Sequence, residues 1–335
     1  GADIITASAG TSNFRAGVNA GNSIVSGGTR NVLIGDEAGT AITTGDYNVA
    51  LGYAALDAED AGSRATALGY FALSSQNTDT DSYNVAVGFS AGESVTTGVQ
   101  NTLIGGLAGD AITTASATAV GYSSLTALTT GGDNTAVGGR SLFSTTTGAS
   151  NTAVGKDVMY YNTTGDNNVA LGGGALGSNT TASNNTAVGQ AALAANTTGT
   201  QNVAVGDTAL DANTTADKNT AVGQAALSSN TTGGENTAVG RAALNGNSTG
   251  SNNVAVGVSS LLDNTTGHSN VAVGHTSLFV NTTGISNTAV GASALDANTT
   301  ADNNTAVGLD ALTANTTGTN NVSVGKDALV ANTTG

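Results

Sequence analysis

The chain has 335 residues, with 48 glycines, no proline, no cysteine, and a net charge of −15 that includes only eight lysine and arginine residues. The lack of cysteine excludes disulfide bonds and thiolate metal sites, and the scarcity of positive charge argues against nucleic acid or an anionic membrane as a partner. No apolar run is long enough to span a bilayer, so we expect no membrane insertion by this chain.

One motif, Asn-(Thr/Val)-Ala-Val-Gly, recurs along nearly the whole chain and divides it into short repeats. If its asparagine is position 1, the motif returns every 17 residues at Asn134, Asn151, Asn168, Asn185, Asn202, Asn219, Asn236, Asn253, Asn270, Asn287, Asn304 and Asn321. Upstream the spacing varies from 16 to 19 residues, with starts at Asn13, Asn31, Asn48, Ala65, Asn84, Asn101 and Ala117. The sequence therefore predicts an irregular part, residues 1–133, and a regular part, residues 134–335, of one continuous repeat array.

The length of the repeat predicts the fold class. It is too short for a helix pair or a propeller blade, so each repeat is predicted to be one coil of an all-β, parallel β-solenoid or β-roll. The lack of proline fits a stack in which every backbone N–H is needed for bonds to neighbouring coils. A glycine follows the predicted strand in every coil from Gly17 to Gly325, where a sharp corner calls for a backbone conformation that only glycine adopts readily. Roughly twenty coils rising about 4.8 Å each predict a rod on the order of 95 Å long.

Comparison of the repeats predicts which positions fill the interior of the coil. Position 3 is usually Ala and position 9 usually Leu, as in Ala187 with Leu193, but Leu33 at position 3 occurs with Gly39 at position 9. This exchange of bulk indicates that positions 3 and 9 touch in a densely packed interior. The coil of Asn84 departs from this rule, because it combines a small residue at position 3 with glycine at position 9.

Positions 2 and 4, filled mainly by Thr, Val, Leu or Ile, lie on the opposite face of the strand from position 3 because side chains alternate along a strand. If positions 3 and 9 lie inside, positions 2 and 4 form an outward stripe, which we name the Val/Thr stripe. An exposed apolar stripe of that extent indicates self-association, in a closed oligomer or a longer filament. The alternative orientation places positions 2 and 4 inside and an alanine column outside, where small residues suit a close approach of chains.

The repeat Asn-Thr-Ala-Val-Gly-x-x-Ala-Leu-x-x-Asn-Thr-Thr-Gly, as in residues 185–199, resembles the repeat shafts of phage tail fibres that often end in an endosialidase-type chaperone domain. It is also similar to the head β-rolls of trimeric autotransporter adhesins, which carry an Asn-Ser-Val-Ala-Ile-Gly strand. The resemblance covers residues 13–335 and implies a left-handed β-roll in a homotrimeric fibre. This chain departs from the adhesin heads in its longer coils, and we expect anchoring and trimer-nucleating parts to lie outside it.

These features predict a structural fibre shaft that spaces an attachment or receptor-binding element from a virion or cell surface. Its expected location is extracellular, in a tail fibre or a cell-surface appendage, and its expected partners are further copies of itself and a host-cell surface receptor or glycan. The alternative is an adhesin or binding module that contacts a glycan, a matrix protein or ice directly. No catalytic constellation, phosphate loop or cofactor motif stands out, so we expect neither an enzyme nor a bound cofactor.

An aromatic column is the first candidate binding surface. It consists of Tyr53, Tyr70, Phe89 and Tyr122, all at position 6, directly after the corner glycine. Such a column stacks on sugars or, alternatively, covers the corner of a thin core. Residues 40–125 are therefore the predicted place for direct binding.

Glycosylation is a second candidate feature. Asn-Thr-Thr or Asn-Ser-Thr, formally a glycosylation sequon, begins at Asn162, Asn179, Asn196, Asn213, Asn230, Asn247, Asn264, Asn281, Asn298, Asn315 and Asn332. The repeat alone also explains this row, because stacked asparagines form amide ladders. The same row raises ice binding, but Thr163 and Thr164 are adjacent and are predicted to point to opposite sides, which argues against a flat threonine array.

No metal site is predicted. His268 and His275 occupy different coil positions and are interpreted as surface residues. Asp79 and Asp81 lie in the one coil of 19 residues, where a solvated bulge is preferred over a calcium loop because too few oxygen ligands are present.

Overall fold

The computed structural model describes residues 4–5 and 9–334. These residues form β-strands and turns arranged as a solenoid, which confirms the predicted all-β, parallel fold class. None of them belongs to a helix of the length and apolarity that crosses a membrane. The chain divides into two compact units, residues 1–167 and residues 168–335, so the change in coil spacing after residue 133 falls inside the first unit.

Among its described residues, the first unit contains ten short strands. They are β1 (Ile4–Ile5), β2 (Phe14–Ala16), β3 (Val32–Ile34), β4 (Val49–Leu51), β5 (Thr66–Leu68), β6 (Val85–Val87), β7 (Thr102–Ile104), β8 (Ala117–Val120), β9 (Asn134–Val137) and β10 (Thr152–Val154). From β2 to β10 each strand pairs in parallel with the strand of the next coil, and equivalent repeat positions face each other.

The second unit repeats the same arrangement, with ten strands in residues 168–334. They are β11 (Val169–Leu171), β12 (Thr186–Val188), β13 (Val203–Val205), β14 (Thr220–Val222), β15 (Thr237–Val239), β16 (Val254–Val256), β17 (Val271–Val273), β18 (Thr288–Val290), β19 (Thr305–Val307) and β20 (Val322–Val324). All of its pairings are parallel and in register, for example Ala204 opposite Ala221.

Strand β1 lies outside the repeat and was not predicted. It pairs with β2 in the antiparallel sense, with Ile4 opposite Ala16 and Ile5 opposite Arg15. An unpaired strand edge is a template for aggregation, and β1 covers the outer edge of the first coil. The solenoid therefore carries its own edge strand at this end.

The glycine at position 5 forms the predicted corner. These glycines, from Gly17 to Gly325, have φ between 122° and 143°, a region that residues with a Cβ rarely adopt. There is also no room for a side chain at this corner, because a Cβ on Gly189 would collide with the carbonyl oxygen of Gly206 in the next coil. Glycine is thus required here by both conformation and stacking distance.

The interior is filled by positions 3 and 9, as predicted, together with position 8. In one regular coil Ala187, Ala192 and Leu193 are completely buried. The exchange of bulk is confirmed at Leu33, which lies between two glycines. A Cβ on Gly21 of the preceding coil would be 2.5 Å from its Cδ1 atom, and a Cβ on Gly39 would be 2.9 Å from its Cδ2 atom.

The coil of Asn84, which departs from the pairwise rule, is explained by the same packing. Its Gly92 makes room for Leu103 of the next coil, because a Cβ on Gly92 would lie 2.6 Å from the Cδ1 atom of Leu103. A leucine at position 3 therefore needs glycine at position 9 in its own coil and in the preceding one. Position 12 is a third partner that the sequence comparison missed. In the four coils with glycine at position 9, it is Ile24, Ile42, Val95 and Ile112.

Outside the strand, each coil continues as turns whose backbone groups still bond to neighbouring coils. Leu193 N–H donates to Ala209 O at 3.0 Å, and Thr197 N–H donates to Thr214 O at 2.9 Å. Positions 7, 9 and 17 are commonly left-handed, as Leu193 shows with a φ of 55°. Such residues cannot continue a β-strand, which is why each coil has only one short strand.

Candidate interaction surfaces

The Val/Thr stripe faces outward, so the first of the two predicted orientations is correct. In every strand of the second unit position 3 is buried while positions 2 and 4 are half-buried or exposed. The stripe has the same character in the first unit, where Val32, Leu51 and Ile104 are exposed. Each unit therefore presents an apolar strand face to its surroundings.

The asparagines at position 1 form a buried ladder that locks each coil to the next. Asn202 N–H donates to Asn185 Oδ1 at 2.9 Å, and the Asn202 Nδ2 atom donates to Ala216 O at 2.8 Å. The side chain thus bonds one coil to its neighbour and closes its own coil. The ladder is broken where alanine takes position 1, at Ala65 and Ala117.

The sequon asparagines form a second ladder at position 12. Asn213 Nδ2 donates to Asn196 Oδ1 at 2.9 Å and to Ala216 O at 3.1 Å. The side chains are completely buried at Asn162, Asn179, Asn196, Asn213, Asn230, Asn247, Asn264, Asn281, Asn298 and Asn315, whereas Asn332 is half-buried. The predicted amide ladder is confirmed, and at those ten positions the folded coil offers no exposed amide to a glycan.

The threonines that follow these asparagines also divide between two roles. At position 13 the hydroxyl is used inside the stack, as Thr197 Oγ1 donates to Thr214 O at 3.0 Å. At position 14 the side chain is exposed, as at Thr198. The two columns therefore do not form one flat array of free hydroxyl groups, in agreement with the sequence argument against ice binding on this row.

The structure brings three of the four residues of the predicted aromatic column into contact. The ring centroids of Tyr53 and Tyr70 are 5.3 Å apart and those of Tyr70 and Phe89 are 5.4 Å apart, both in stacked geometry. Phe71 packs edge-on against Tyr70 at 4.4 Å. Tyr122 stands apart from this stack and is 64% exposed. Because Tyr70 has a ring on each side, its faces are not open to a sugar.

A second column, which the sequence reasoning missed, occupies the last position of four consecutive coils: Arg30, Tyr47, Arg64 and Tyr83. The Arg30 guanidinium carbon lies 5.2 Å from the centroid of the Tyr47 ring, and the Arg64 guanidinium carbon lies 5.4 Å from the same centroid on Tyr47 and 5.8 Å from that of Tyr83. Arg64 also forms an ion pair with Asp81. In the sequence, the alternation of arginine and tyrosine at one repeat position could have predicted this arginine–tyrosine column, because the two residue types attract each other.

In the coil that precedes the longest coil, position 12 holds a buried carboxyl group and not an asparagine amide. Glu59 is completely buried and accepts hydrogen bonds from Gln76 Nε2 at 2.7 Å, Gly62 N–H at 2.9 Å and Thr78 N–H at 3.1 Å. Burial raises the pKa of Glu59 above its ordinary value, and these hydrogen bonds oppose that shift only in part. The carboxyl group holds the start of the bulge in place.

The remaining polar candidates lie at the surface. Asp79, His268 and His275 are exposed, and Asp81 pairs with Arg64. Within the described ranges no group of three or more His, Cys, Asp or Glu residues is placed to hold a metal ion. The bulge around Asp79 thus has the surface position that the sequence predicted.

A cavity of about 390 Å³ opens in the second unit beside Gly234. Asp217, Lys218, Glu235 and Ser251 line it, and the Lys218 Nζ atom is 3.6 Å from the Glu235 Oε1 atom. Ser251 Oγ accepts a hydrogen bond from Gly234 N–H at 3.1 Å. The Asp217 carboxylate accepts hydrogen bonds from Thr200, so the charged and hydroxyl groups around the cavity already have partners within the chain.

No protein-family model matches the chain, and no curated protein matches it.

Proposed function

We propose that this chain is a structural fibre shaft that self-associates through the Val/Thr stripe and spaces an attachment or receptor-binding element from a virion or cell surface. Its proposed location is extracellular, in a tail fibre or a cell-surface appendage. The β-solenoid fold is compatible with a fibrous repeat protein, and the resemblance of the repeat to tail-fibre shafts and adhesin heads supports this reading. The same resemblance makes a homotrimer the proposed assembly.

One observation carries the proposal: among the described residues, each unit has a strand face of valine, leucine, isoleucine and threonine side chains that are half-buried or exposed. Most of the buried asparagine amides are hydrogen-bonded inside the coils by the two ladders. Beyond the buried alanine and leucine core, a second set of apolar side chains faces outward in columns that repeat from coil to coil. A surface of this composition is stabilised when a matching surface covers it, and identical repeats on a second copy provide such a match.

A second candidate function, direct binding of a receptor or glycan, is favoured by a specific observation in the first unit. There the Val/Thr stripe is flanked by the aromatic column and by the arginine–tyrosine column, whose Tyr47 and Tyr83 are exposed. Aromatic and arginine side chains are the residue types most enriched at the energetic centres of interfaces. This surface suits an adhesin-like contact that a plain spacer does not need.

The stripe is tested by charge substitutions in two adjacent coils. Val222→Glu with Val239→Glu places two carboxylates on the stripe, and we expect the oligomer to dissociate, measured as mass by sedimentation equilibrium. The matched control, Thr232→Glu with Thr249→Glu, adds the same charges to the exposed position 14 of the same two coils and is expected to keep the parent mass. Stripe variants that remain as associated as the control contradict the proposed interface.

A further inference from the structure

Each strand from β2 to β20 lies between two residues that mark the margins of the strand face. We call the residue directly before position 1 the entry residue and the residue directly after the corner glycine the exit residue. For β3 these are Arg30 and Asp36, for β15 they are Glu235 and Arg241, and all four side chains are exposed. The Val/Thr stripe lies between the two margins, so the entry and exit residues border the face proposed to self-associate.

The charges on the two margins are complementary within a strand. From β2 to β20, β3 and β15 are the strands that carry a charged residue at both ends, and in each of them the two charges are opposite. The order differs between them, because β3 has its positive charge at the entry and β15 has its positive charge at the exit. A pairing rule that acts on each strand separately explains both cases, whereas a uniform charge along one margin explains neither.

The aromatic side chains of the margins also coincide on the same strands. The arginine–tyrosine column supplies the entry residues of β3 to β6, and the aromatic column supplies the exit residues of β4 to β6. The resulting entry and exit pairs are Arg30 with Asp36, Tyr47 with Tyr53, Arg64 with Tyr70, and Tyr83 with Phe89. Each pair combines groups that attract each other, as opposite charges, as two aromatic rings or as a cation and a ring.

The charged pairs do not form within one chain. The exit residue lies six residues after the entry residue, which is up to about 20 Å in an extended chain. Among the described residues, no ion pair joins the two ends of one strand, and Glu235 lies near Lys218 of the neighbouring coil instead. A second copy of the chain can bring the complementary end within reach.

We propose that ion pairs between neighbouring copies, Arg30 with Asp36 and Glu235 with Arg241, hold the copies in the same coil register. This inference rests on the self-association proposed above. Rotation about an axis parallel to the direction of stacking keeps each coil at its own height and sets the entry residue of one copy against the exit residue of the next.

The Val/Thr stripe alone leaves this register open. Its residue types repeat in every coil, so it fits a second copy about equally well after a shift by one coil. A shift moves Glu235 away from Arg241 of the neighbouring copy and leaves both charges without this partner. Electrostatic complementarity of this kind fixes register more than it adds affinity. The charged strands therefore give the uniform stripe a single alignment.

Thiol cross-linking of the full chain measures the register, since the protein has no cysteine of its own. Asn252→Cys with Val258→Cys places thiols at the exposed entry and exit of β16 and leaves both ion pairs in place. The matched control, Asn252→Cys with Gln190→Cys, uses the exposed exit residue four coils earlier, about 19 Å away along the stack. With a bismaleimide shorter than two coil steps, about 9.6 Å, we expect roughly fivefold more covalently linked chains from the in-register variant than from the control.

The charges are tested separately on the in-register cross-linking variant. Arg241→Glu sets a carboxylate against Glu235 of the next copy, and we expect the yield of linked chains to fall about threefold. Adding Glu235→Arg restores opposite charges in the reversed order and is expected to recover the yield.

Equal yields from the in-register variant and its control overturn the proposed register. A yield that Arg241→Glu leaves unchanged overturns the role of the charges. Both results leave the shaft proposal standing if the unaltered chain is oligomeric by sedimentation equilibrium, whereas a monomeric unaltered chain overturns both proposals.

Discussion

The irregular coils of residues 13–133 and the regular coils that follow share one backbone plan but fill it differently. Both have the corner glycine, and both use the asparagine of position 1 to join coils. Several irregular coils pack an aliphatic side chain such as Ile42 at position 12, whereas from Asn162 onward that position is asparagine. The irregular coils also carry the aromatic and arginine–tyrosine columns.

This comparison shows which positions of the coil must keep one residue type for the coils to stack and which positions can vary. The corner glycine is required because a side chain there collides with the next coil, so it does not vary. The interior tolerates changes that conserve volume across neighbouring coils, as the packing of Leu33 between Gly21 and Gly39 shows. The exterior varies most freely. Specific binding is therefore expected in the irregular coils, and uniform self-association in both parts.

The largest expected effect comes from a substitution at the corner glycine, which both regions share. Gly189→Ala places a Cβ against the carbonyl of Gly206 at a φ of 138°, and we expect a loss of about 3 kcal/mol or more of unfolding free energy. Gly173→Ala is the control, because a Cβ there meets nothing within 4 Å. Thermal or denaturant unfolding measures both. Equal stability of the two variants contradicts the role given to the corner.

An intermediate effect is expected when a regular coil is given the packing of an irregular one. Leu193→Gly removes a buried side chain and is expected to cost about 2–4 kcal/mol. Ala187→Leu then restores only part of this, because the preceding coil still has Leu176 where Leu33 meets Gly21.

A double-mutant cycle on Leu193→Gly and Ala187→Leu, followed by denaturant unfolding, measures this coupling. Strictly additive changes in unfolding free energy mean that positions 3 and 9 do not share the interior.

The smallest expected effect concerns Glu59, a completely buried acid in the irregular part. Its pKa is raised by burial, so the folded chain keeps this proton to a higher pH than the unfolded chain. Its contribution to stability is fully present below the ordinary value of 4.5 and is lost as pH rises through the raised pKa.

Glu59→Gln is therefore expected to flatten the fall of Tm above that pH by roughly 1–2 °C. Asp57, Asp110, Asp211 and Asp296, whose pKa values burial also raises, are unchanged in the variant, so the difference between the two pH profiles reports Glu59 alone. Superimposable profiles are incompatible with this assignment.

Much of the fold could be predicted because every coil repeats the same solution. The period predicted the parallel stack, and the exchange between Leu33 and Gly39 predicted the interior. Strand β1 could not be predicted, since Ile4 and Ile5 lie outside the repeat. The left-handed backbone at Leu193 could not be predicted either, because leucine shows no preference for it and the stacked coils impose it.

The candidate surfaces were predicted less completely. The shared repeat position of Tyr53, Tyr70 and Phe89 predicts a column, but only the folded structure shows that their faces cover one another. The arginine–tyrosine column, which includes Arg30 and Tyr47, could have been predicted by the same comparison of repeat positions. It was missed because coils of unequal length move the last position of the repeat relative to the first.

The mass of the unaltered chain in solution, by sedimentation equilibrium at micromolar concentration, tests the central claim most directly. The claim is that the exposed Val/Thr stripe brings copies of the chain together into a shaft. We predict three times the mass of a single chain, or a larger multiple if trimers associate further. A stable, well-folded monomer would contradict the account.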